Sequence, residues 1–289
     1  MTGRMEGKVA LITGAARGQG RSHAVRLAQE GADIIAVDIC AQLPTVNYAM
    51  PDESDLRETA RQVEALGRRV VTGVCDVRER TALIGLVDAA VAELGHLDVV
   101  VANAGISPIG EQIPTMAWLD TAGINLGGVL FTIQAAYPHL RAGGSIVCIG
   151  SMAALLPGNS MASTAAGRGA GGYSYAKQAV ARLTRDLALA LAPESIRVNA
   201  VHPGNIDTDM LQNEEMYHLF RPDLESPTRE DAQPAFGSMH ALPVNTLDPI
   251  DISEAVLFLA SDAARYVTGL QLRVDAGGLL PTLPSGAPA

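Results

Sequence analysis

Val9-Ala10-Leu11-Ile12-Thr13-Gly14-Ala15-Ala16-Arg17-Gly18-Gln19-Gly20 passes from an apolar strand through a glycine turn into a helix. Glycine lets the backbone turn sharply and approach a pyrophosphate closely, and a helix beginning at Gly18 aims free N–H groups and its positive dipole end at the same point. A glycine cluster alone says little. Here it follows a first strand and precedes a second, 33–37, which leads directly to Asp38. A carboxylate at that place accepts hydrogen bonds from a ribose and repels a 2′-phosphate, so the pattern points to a dinucleotide and to NAD over NADP. Arg17 points the other way, because a guanidinium beside Gly18 can meet a 2′-phosphate. Asp38 outweighs it, since a carboxylate facing a phosphate without an intervening cation is costly.

Outward from this turn, short β-branched runs alternate with longer amphipathic stretches, the pattern of β-α repeats that build a parallel sheet covered on both faces. Strands are predicted at 9–13, 33–37, 70–75, 97–102, 145–149, 196–201 and 270–274, and helices near 18–30, 55–66, 79–94, 115–140, 173–191 and 251–260. Gly31, Gly67 and Gly95 stand where helix C-termini need them. No repeat of fixed period and no linker divides the chain, so residues 1–289 are read as one α/β domain. Its expected core is a doubly wound, Rossmann-type parallel sheet of seven strands with helices on both faces.

Three stretches break the rhythm. Residues 40–54 make a long connection after the second strand, where such loops usually take a few residues. Residues 153–172 are rich in Ala, Gly and Ser and read as a mobile insertion. Residues 205–248 set Met210, Leu211, Met216, Tyr217, Leu219, Phe220, Phe236 and Met239 among acids and prolines, which suits a lid over an apolar pocket. The end of the chain, 279–289, is a Pro/Gly/Ala-rich tail.

Hydrophobic residues make up 48% and charged residues 18%, enough apolar material for a sizeable core. A formal net charge of -10 with no Lys/Arg cluster argues against a nucleic-acid partner. The start carries no signal-peptide core and no apolar run reads as a bilayer span, so no membrane partner is expected. Cys40, Cys75 and Cys148 are odd in number and widely spaced, which speaks against a disulfide framework or a metal site and makes the cytoplasm the default compartment.

A second constellation lies in the later half. Tyr173-Ser174-Tyr175-Ala176-Lys177 is read as opening a helix, with Tyr173 and Lys177 on one face, roughly 40° apart. A phenol ionises near ~10, and an adjacent ammonium favours the phenolate that a base near neutrality requires. Tyr175 is a rival base, but it sits two residues from Lys177 on another face. Ser151 falls just past the fifth strand, at the sheet edge where ligands bind, and its hydroxyl can hold a reacting oxygen. Asn125 lies inside the predicted helix 115–140. A serine hydrolase using Ser151 with His202 is disfavoured, because Ser151 lacks the Gly-x-Ser-x-Gly elbow.

The spacing Thr13-Gly14-x-x-x-Gly18-x-Gly20, with Asp76-Val77, Asn103-Ala104-Gly105, Pro203-Gly204-x-Ile206-x-Thr208 and Tyr173-x-x-x-Lys177, resembles the short-chain dehydrogenase/reductase family over nearly the whole chain. The resemblance implies a cofactor site of Gly14, Arg17, Gly18, Gln19, Gly20, Asp38, Asp76, Val77, Asn103, Ala104, Gly105, Tyr173, Lys177, Pro203, Gly204, Ile206 and Thr208. It further implies a catalytic group of Asn125, Ser151, Tyr173 and Lys177, in which Tyr173 removes an alcohol proton as hydride passes to the nicotinamide. Ser151 then positions the substrate oxygen, Lys177 lowers the phenol pKa and holds the nicotinamide ribose, and Asn125 anchors a relay water. The 22 positions from Ser151 to Tyr173 exceed the family's usual separation.

The run 14–24, the insertion after Asp38 and the segment 213–224 resemble the carveol dehydrogenase-like, mycofactocin-associated branch of that family. This implies a hydrophobic secondary alcohol or its ketone as substrate, NAD held without exchange under residues 40–54, an external redox carrier, and a homotetramer. Two other readings remain: an NADPH-dependent 3-oxoacyl thioester reductase, supported locally by Arg17, and a non-catalytic nucleotide-binding regulator, which has no need of the Asn-Ser-Tyr-Lys set.

Overall fold

The computed structural model describes residues 3–156 and 167–280. Its strands are β1 (Val9–Thr13), β2 (Asp33–Asp38), β3 (Val70–Val74), β4 (Val99–Ala102), β5 (Ser145–Ile149), β6 (Arg197–Pro203) and β7 (Gln271–Val274). They form one sheet of order β3-β2-β1-β4-β5-β6-β7, parallel throughout. The chain runs outward from β1 to β3 and then restarts on the other side at β4, so Leu11 pairs with both Ile35 and Val100. The carboxyl ends of β1 and β4 therefore open a crevice, the ligand position of a doubly wound sheet.

Alternate strand residues feed two cores. Leu11, Ile35, Val100 and Ile146 pack against α3 (Arg80–Leu94), α5 (Val129–Ala136) and α6 (Gly167–Leu191) through Leu83, Ile133 and Val180. Ala10, Ile12, Ile34 and Val147 pack against α1 (Gly18–Gln29), α2 (Glu53–Ala65) and α9 (Pro249–Ala260) through Leu27, Val63 and Val256. With both faces covered, no central strand has a wet side, which is why these strands read as continuous apolar runs. Each fully buried Val, Ile or Leu contributes about 1.5–3 kcal/mol relative to exposure.

Four expectations are refined. The helix expected over 115–140 is present over Met116–His139 but changes pitch along its length, as α4 (Met116–Ala122), a π-helical turn (Gly123–Gly128), α5 and a 3₁₀ turn (Tyr137–His139). Glycine lets this segment approach its neighbour: a Cβ on Gly128 would lie 2.4 Å from a Val77 methyl. Second, the run Met116–His139 is, by length and composition, long and apolar enough to cross a bilayer, although the sequence reading found no such run. Here it packs between α3 and α6, with Ile124, Val129 and Ile133 in the core.

Third, α6 begins at Gly167, so Tyr173 lies well inside it, and residues 167–172 are helix instead of part of a mobile insertion. Their glycines serve close packing. A Cβ at Gly169 would lie 2.1 Å from the Pro108 carbonyl oxygen, and one at Gly172 would lie 2.8 Å from that of Trp118. Residues 157–166 of that expected insertion and 281–289 of the expected tail lie outside the described residues.

Fourth, the stretch 205–248 carries two helices that sequence reading missed, α7 (Glu214–Phe220) and α8 (Arg229–Gly237). Their N-caps were legible: Asn213 accepts from Met216 N at 3.0 Å, and Thr228 forms a capping box with Asp231. Ile109, Leu211, Met216, Ala232 and Phe236 give this stretch a small core of its own, with Phe220 edge-on to Phe236 at 4.7 Å.

Candidate active site

The glycine turn closes the base of the crevice. Gly14 and Gly18 adopt φ of +67° and +53°, and a Cβ on Gly20 would lie 1.9 Å from the Gly14 carbonyl oxygen, so a side chain at Gly20 would block the turn. Asn103 locks the two lips together: its Nδ2 donates to Thr13 O at 2.8 Å and Gly14 O at 3.2 Å. Asp38, almost fully buried, accepts from Ala16 N at 3.0 Å and Cys40 N at 3.2 Å. Burial pushes its pKa up, and these backbone N–H groups offset part of the rise. Asp76 is gripped by the Arg78 guanidinium at 2.6–3.1 Å; burial raises its pKa, but Arg78 more than compensates and the carboxyl stays low.

Arg17 caps the start of α1 yet reaches outward. Its Nη1 pairs with Asp209 at 2.8 Å, and its Nη2 donates to Ala49 O. One guanidinium thus joins the 40–54 segment to the 205–248 stretch across the cleft mouth. The 40–54 segment has three further tethers: Thr45 Oγ1 to Asp120 at 2.6 Å, Asn47 Nδ2 to Ile109 O at 2.7 Å, and Ser107 N to the Tyr48 hydroxyl at 3.1 Å. Tyr48, Met50 and Pro51 face the cleft from this segment.

At the other end, α6 presents Tyr173 and Lys177 to the cleft, and the turn after β5 presents Ser151. The Tyr173 phenol hydrogen-bonds Ser151, whose Oγ also accepts from Ala153 N at 3.1 Å. Lys177 is buried, donates to Ile149 O at 2.7 Å, and stands 5.5 Å from the centre of the Tyr173 ring. Burial lowers the Lys177 pKa to about 8. Burial also raises that of Tyr173, and the Ser151 hydrogen bond returns only part of the rise. The Lys177 ammonium sits over the Tyr173 ring and spends one donor on Ile149, so burial is the dominant influence on the phenol.

Asn125 is the expected site residue that does not face the cleft. Its Nδ2 donates to Ile106 O and its Oδ1 accepts from Ile106 N, both at 2.9 Å, so the amide is consumed in holding the loop after β4. Every other expected catalytic or cofactor residue lines the cleft. Tyr175, the rival base, is half-exposed on another face of α6, against Trp118 at 5.4 Å. His202 addresses the Ser151 peptide and not its hydroxyl, as a hydrolytic pair would not.

A family model described as enoyl-(acyl carrier protein) reductase matches residues 14–278. The (-)-trans-carveol dehydrogenase of Rhodococcus erythropolis is 46% identical over 282 residues, covering 96% of this chain and 99% of that one. This chain belongs to the short-chain dehydrogenase/reductase family. Among solved members of the family, it is similar to a carveol dehydrogenase from Mycobacterium avium in complex with NAD: 49% identity, TM-score 0.90, covering 97% of this chain and 100% of that one. A short chain dehydrogenase from Mycobacterium paratuberculosis bound to NAD is 41% identical, with TM-score 0.83 and coverage of 96% and 99%.

In this short-chain dehydrogenase/reductase the cleft lining also includes the apolar side chains of Met152, Leu156, Met210, Leu211, Met216 and Met239. Sequence reading placed Phe220 and Phe236 among residues expected to form a lid, but they turn into the small core of the 205–248 stretch. It missed Tyr48 as a cleft residue; an aromatic in an over-long loop beside Asp38 was the available signal. His202, considered with Ser151 only as a disfavoured hydrolytic pair, stands behind the Ser151 backbone in a structural position.

Proposed function

We propose that the chain oxidises apolar secondary alcohols to ketones with NAD, Tyr173 acting as the base. The observation that carries this is the convergence of Ser151, Tyr173 and Lys177 in one cleft that the glycine turn and several methionines also line. The residues fit NAD: Asp38 keeps lone pairs free for ribose hydroxyls, and the glycine turn leaves no room for side chains at Gly14 and Gly20, the bare backbone that a pyrophosphate approaches. Gly14, Gly18, Gln19 and Gly20 would hold the pyrophosphate, Asp76 and Val77 the adenine, Lys177 the nicotinamide ribose, and Ile206 and Thr208 the carboxamide. Bound there, NAD supplies the hydride acceptor, and its oxidised ring adds the positive charge that the buried phenol needs.

The Tyr173 phenolate takes the hydroxyl proton as the carbinol hydrogen departs with its electron pair, leaving the ketone. Ser151 Oγ, oriented by Ala153 N, hydrogen-bonds the reacting oxygen. Lys177, anchored on Ile149, keeps two donors for the ribose. A relay water near Asn125 would have only backbone to bind, the amide being spent on Ile106. The apolar lining favours a hydrocarbon skeleton of the carveol kind over a charged or sugar substrate.

The tethers on residues 40–54 support a cover that keeps NAD in place, so that a separate redox carrier reoxidises it. Arg17, engaged by Asp209 and Ala49, is committed elsewhere, which weighs against a 2′-phosphate and the thioester-reductase reading. Exposed Met116, Leu119, Leu130 and Tyr137 support assembly, a homotetramer, through α4 and α5. The three free cysteines suit the cytoplasm.

The test is a screen of alcohols with an artificial electron acceptor beside NAD. Tyr173→Phe is expected to lose about 10²–10⁴-fold in turnover, with NAD still bound. A Phe variant that works at the parent rate removes the assignment.

A further inference from the structure

The site leaves one buried polar group unexplained. His202 is fully buried at the end of β6, beside the point where β5 stops pairing. The ladder continues as far as Gly150 N donating to Val201 O at 2.7 Å. Beyond it, a side chain takes over from the backbone: His202 Nδ1 lies 3.2 Å from Ser151 N and 2.9 Å from Ser151 O. Gln271 Oε1 can only accept, so the proton of the neutral ring sits on Nε2 and the bare Nδ1 accepts from Ser151 N. Nε2 meets Gln271 Oε1 at 2.7 Å, so the ring is pinned at both ends, between β5 and β7. Gly150 makes room for it, because a Cβ there would lie 2.4 Å from Nδ1.

We propose that His202 is a positioning residue: by clamping the peptide of Ser151 it aims Ser151 Oγ at the Tyr173 phenol and the reacting oxygen. The proposal rests on the reading of Ser151 and Tyr173 given above. Its physical basis is that Ser151 Oγ hangs by one bond from a backbone in extended conformation, φ −170° and ψ 156°, past the last ladder bond. Rotation of that peptide would swing the hydroxyl away from Tyr173. A leucine at 202 would fill space but hold neither polar group.

The experiment is a kinetic cycle of His202→Leu, Ser151→Ala and the double variant, with NAD affinity measured on each. His202→Leu is expected to lower kcat about 10- to 100-fold, the cost of a misplaced reacting group, while NAD affinity stays within about twofold. In the Ser151→Ala background the same change should cost less than about twofold more, because its target is gone. His202→Asn, whose amide reaches the peptide near where Nδ1 does, should restore most of the rate.

An equal loss from His202→Leu with and without Ser151 means that His202 acts independently of the serine, and overturns the proposal. So does His202→Leu at the parent rate. Ser151→Ala at the parent rate removes the reading of the site and the proposal with it, whereas impaired Ser151→Ala with additive His202→Leu removes the proposal alone. Should His202→Leu not fold, Gln271→Leu, which unpins Nε2 and keeps the imidazole, carries the same comparison.

Discussion

Replacing Tyr48 by alanine should release NAD from this enzyme about 10²–10⁴-fold faster than the parent does. Tyr48 is 9% exposed, packs on the core with Val46, and accepts Ser107 N at 3.1 Å; burial pushes its phenol up to about 12, so it is neutral at working pH. If NAD leaves by local opening of residues 40–54, the rate follows the free energy of that opening. Tyr48→Phe removes one hydrogen bond and strands the Ser107 N–H, worth ~1–2 kcal/mol, or about tenfold. Tyr48→Ala also empties an aromatic site, for a total of ~3–5 kcal/mol. The assay loads the protein with labelled NAD, adds excess unlabelled NAD and follows retained label. Parent slowest, Phe intermediate and Ala fastest is the expected order. Equal rates in all three, or a parent that loses its label during the first gel filtration, would show that the cover does not control exchange.

Lys177 is charged and buried, its pKa lowered from 10.5 to about 8. Between those values the unfolded chain binds the extra proton, so this group's penalty is fully present below about pH 8 and gone above 10.5; it is worth roughly 3 kcal/mol. Urea unfolding should show the stability of Lys177→Met relative to the parent falling over that window, and a flat difference would contradict the burial argument. Asp38→Ala should weaken NAD binding ~10- to 100-fold and shift the ratio of NAD to NADP affinity toward NADP, measured by equilibrium titration. An unchanged ratio would show that the carboxylate does not select the ribose. Phe236→Ala, which takes a fully buried ring from the small core of residues 205–248, should cost that element ~3–5 kcal/mol and raise the KM for alcohol while leaving NAD affinity intact. Loss of both together would show that this stretch and the cofactor site are not separable.

Much of the fold was legible because its signals are local. The strand-turn-helix at Val9–Gly20, the alternation of apolar runs with amphipathic stretches and the acid at Asp38 are each written within a few residues. What escaped was written across distance. The π-helical turn within the 115–140 helix lies where Gly128 must clear Val77 and the Asn125 amide meets Ile106. The glycines before Tyr173, which read as flexibility, are packing surfaces for Pro108 and Trp118. Helices α7 and α8 had cap residues in plain view, but their prolines and acids masked the weak periodicity.

By itself, then, the order of residues determined the layered α/β architecture, the strand ends that would converge, and the residue types available there. Hydrophobic period and turn chemistry depend on near neighbours, and near neighbours are what a sequence displays. Only the tertiary structure decided how each polar group is spent: Arg17 on Ala49 and Asp209, Asn125 on Ile106, Lys177 on Ile149, His202 on the Ser151 peptide. A buried donor or acceptor must find a partner, and which partner lies within 3 Å or so is a property of the packed fold and not of spacing along the chain.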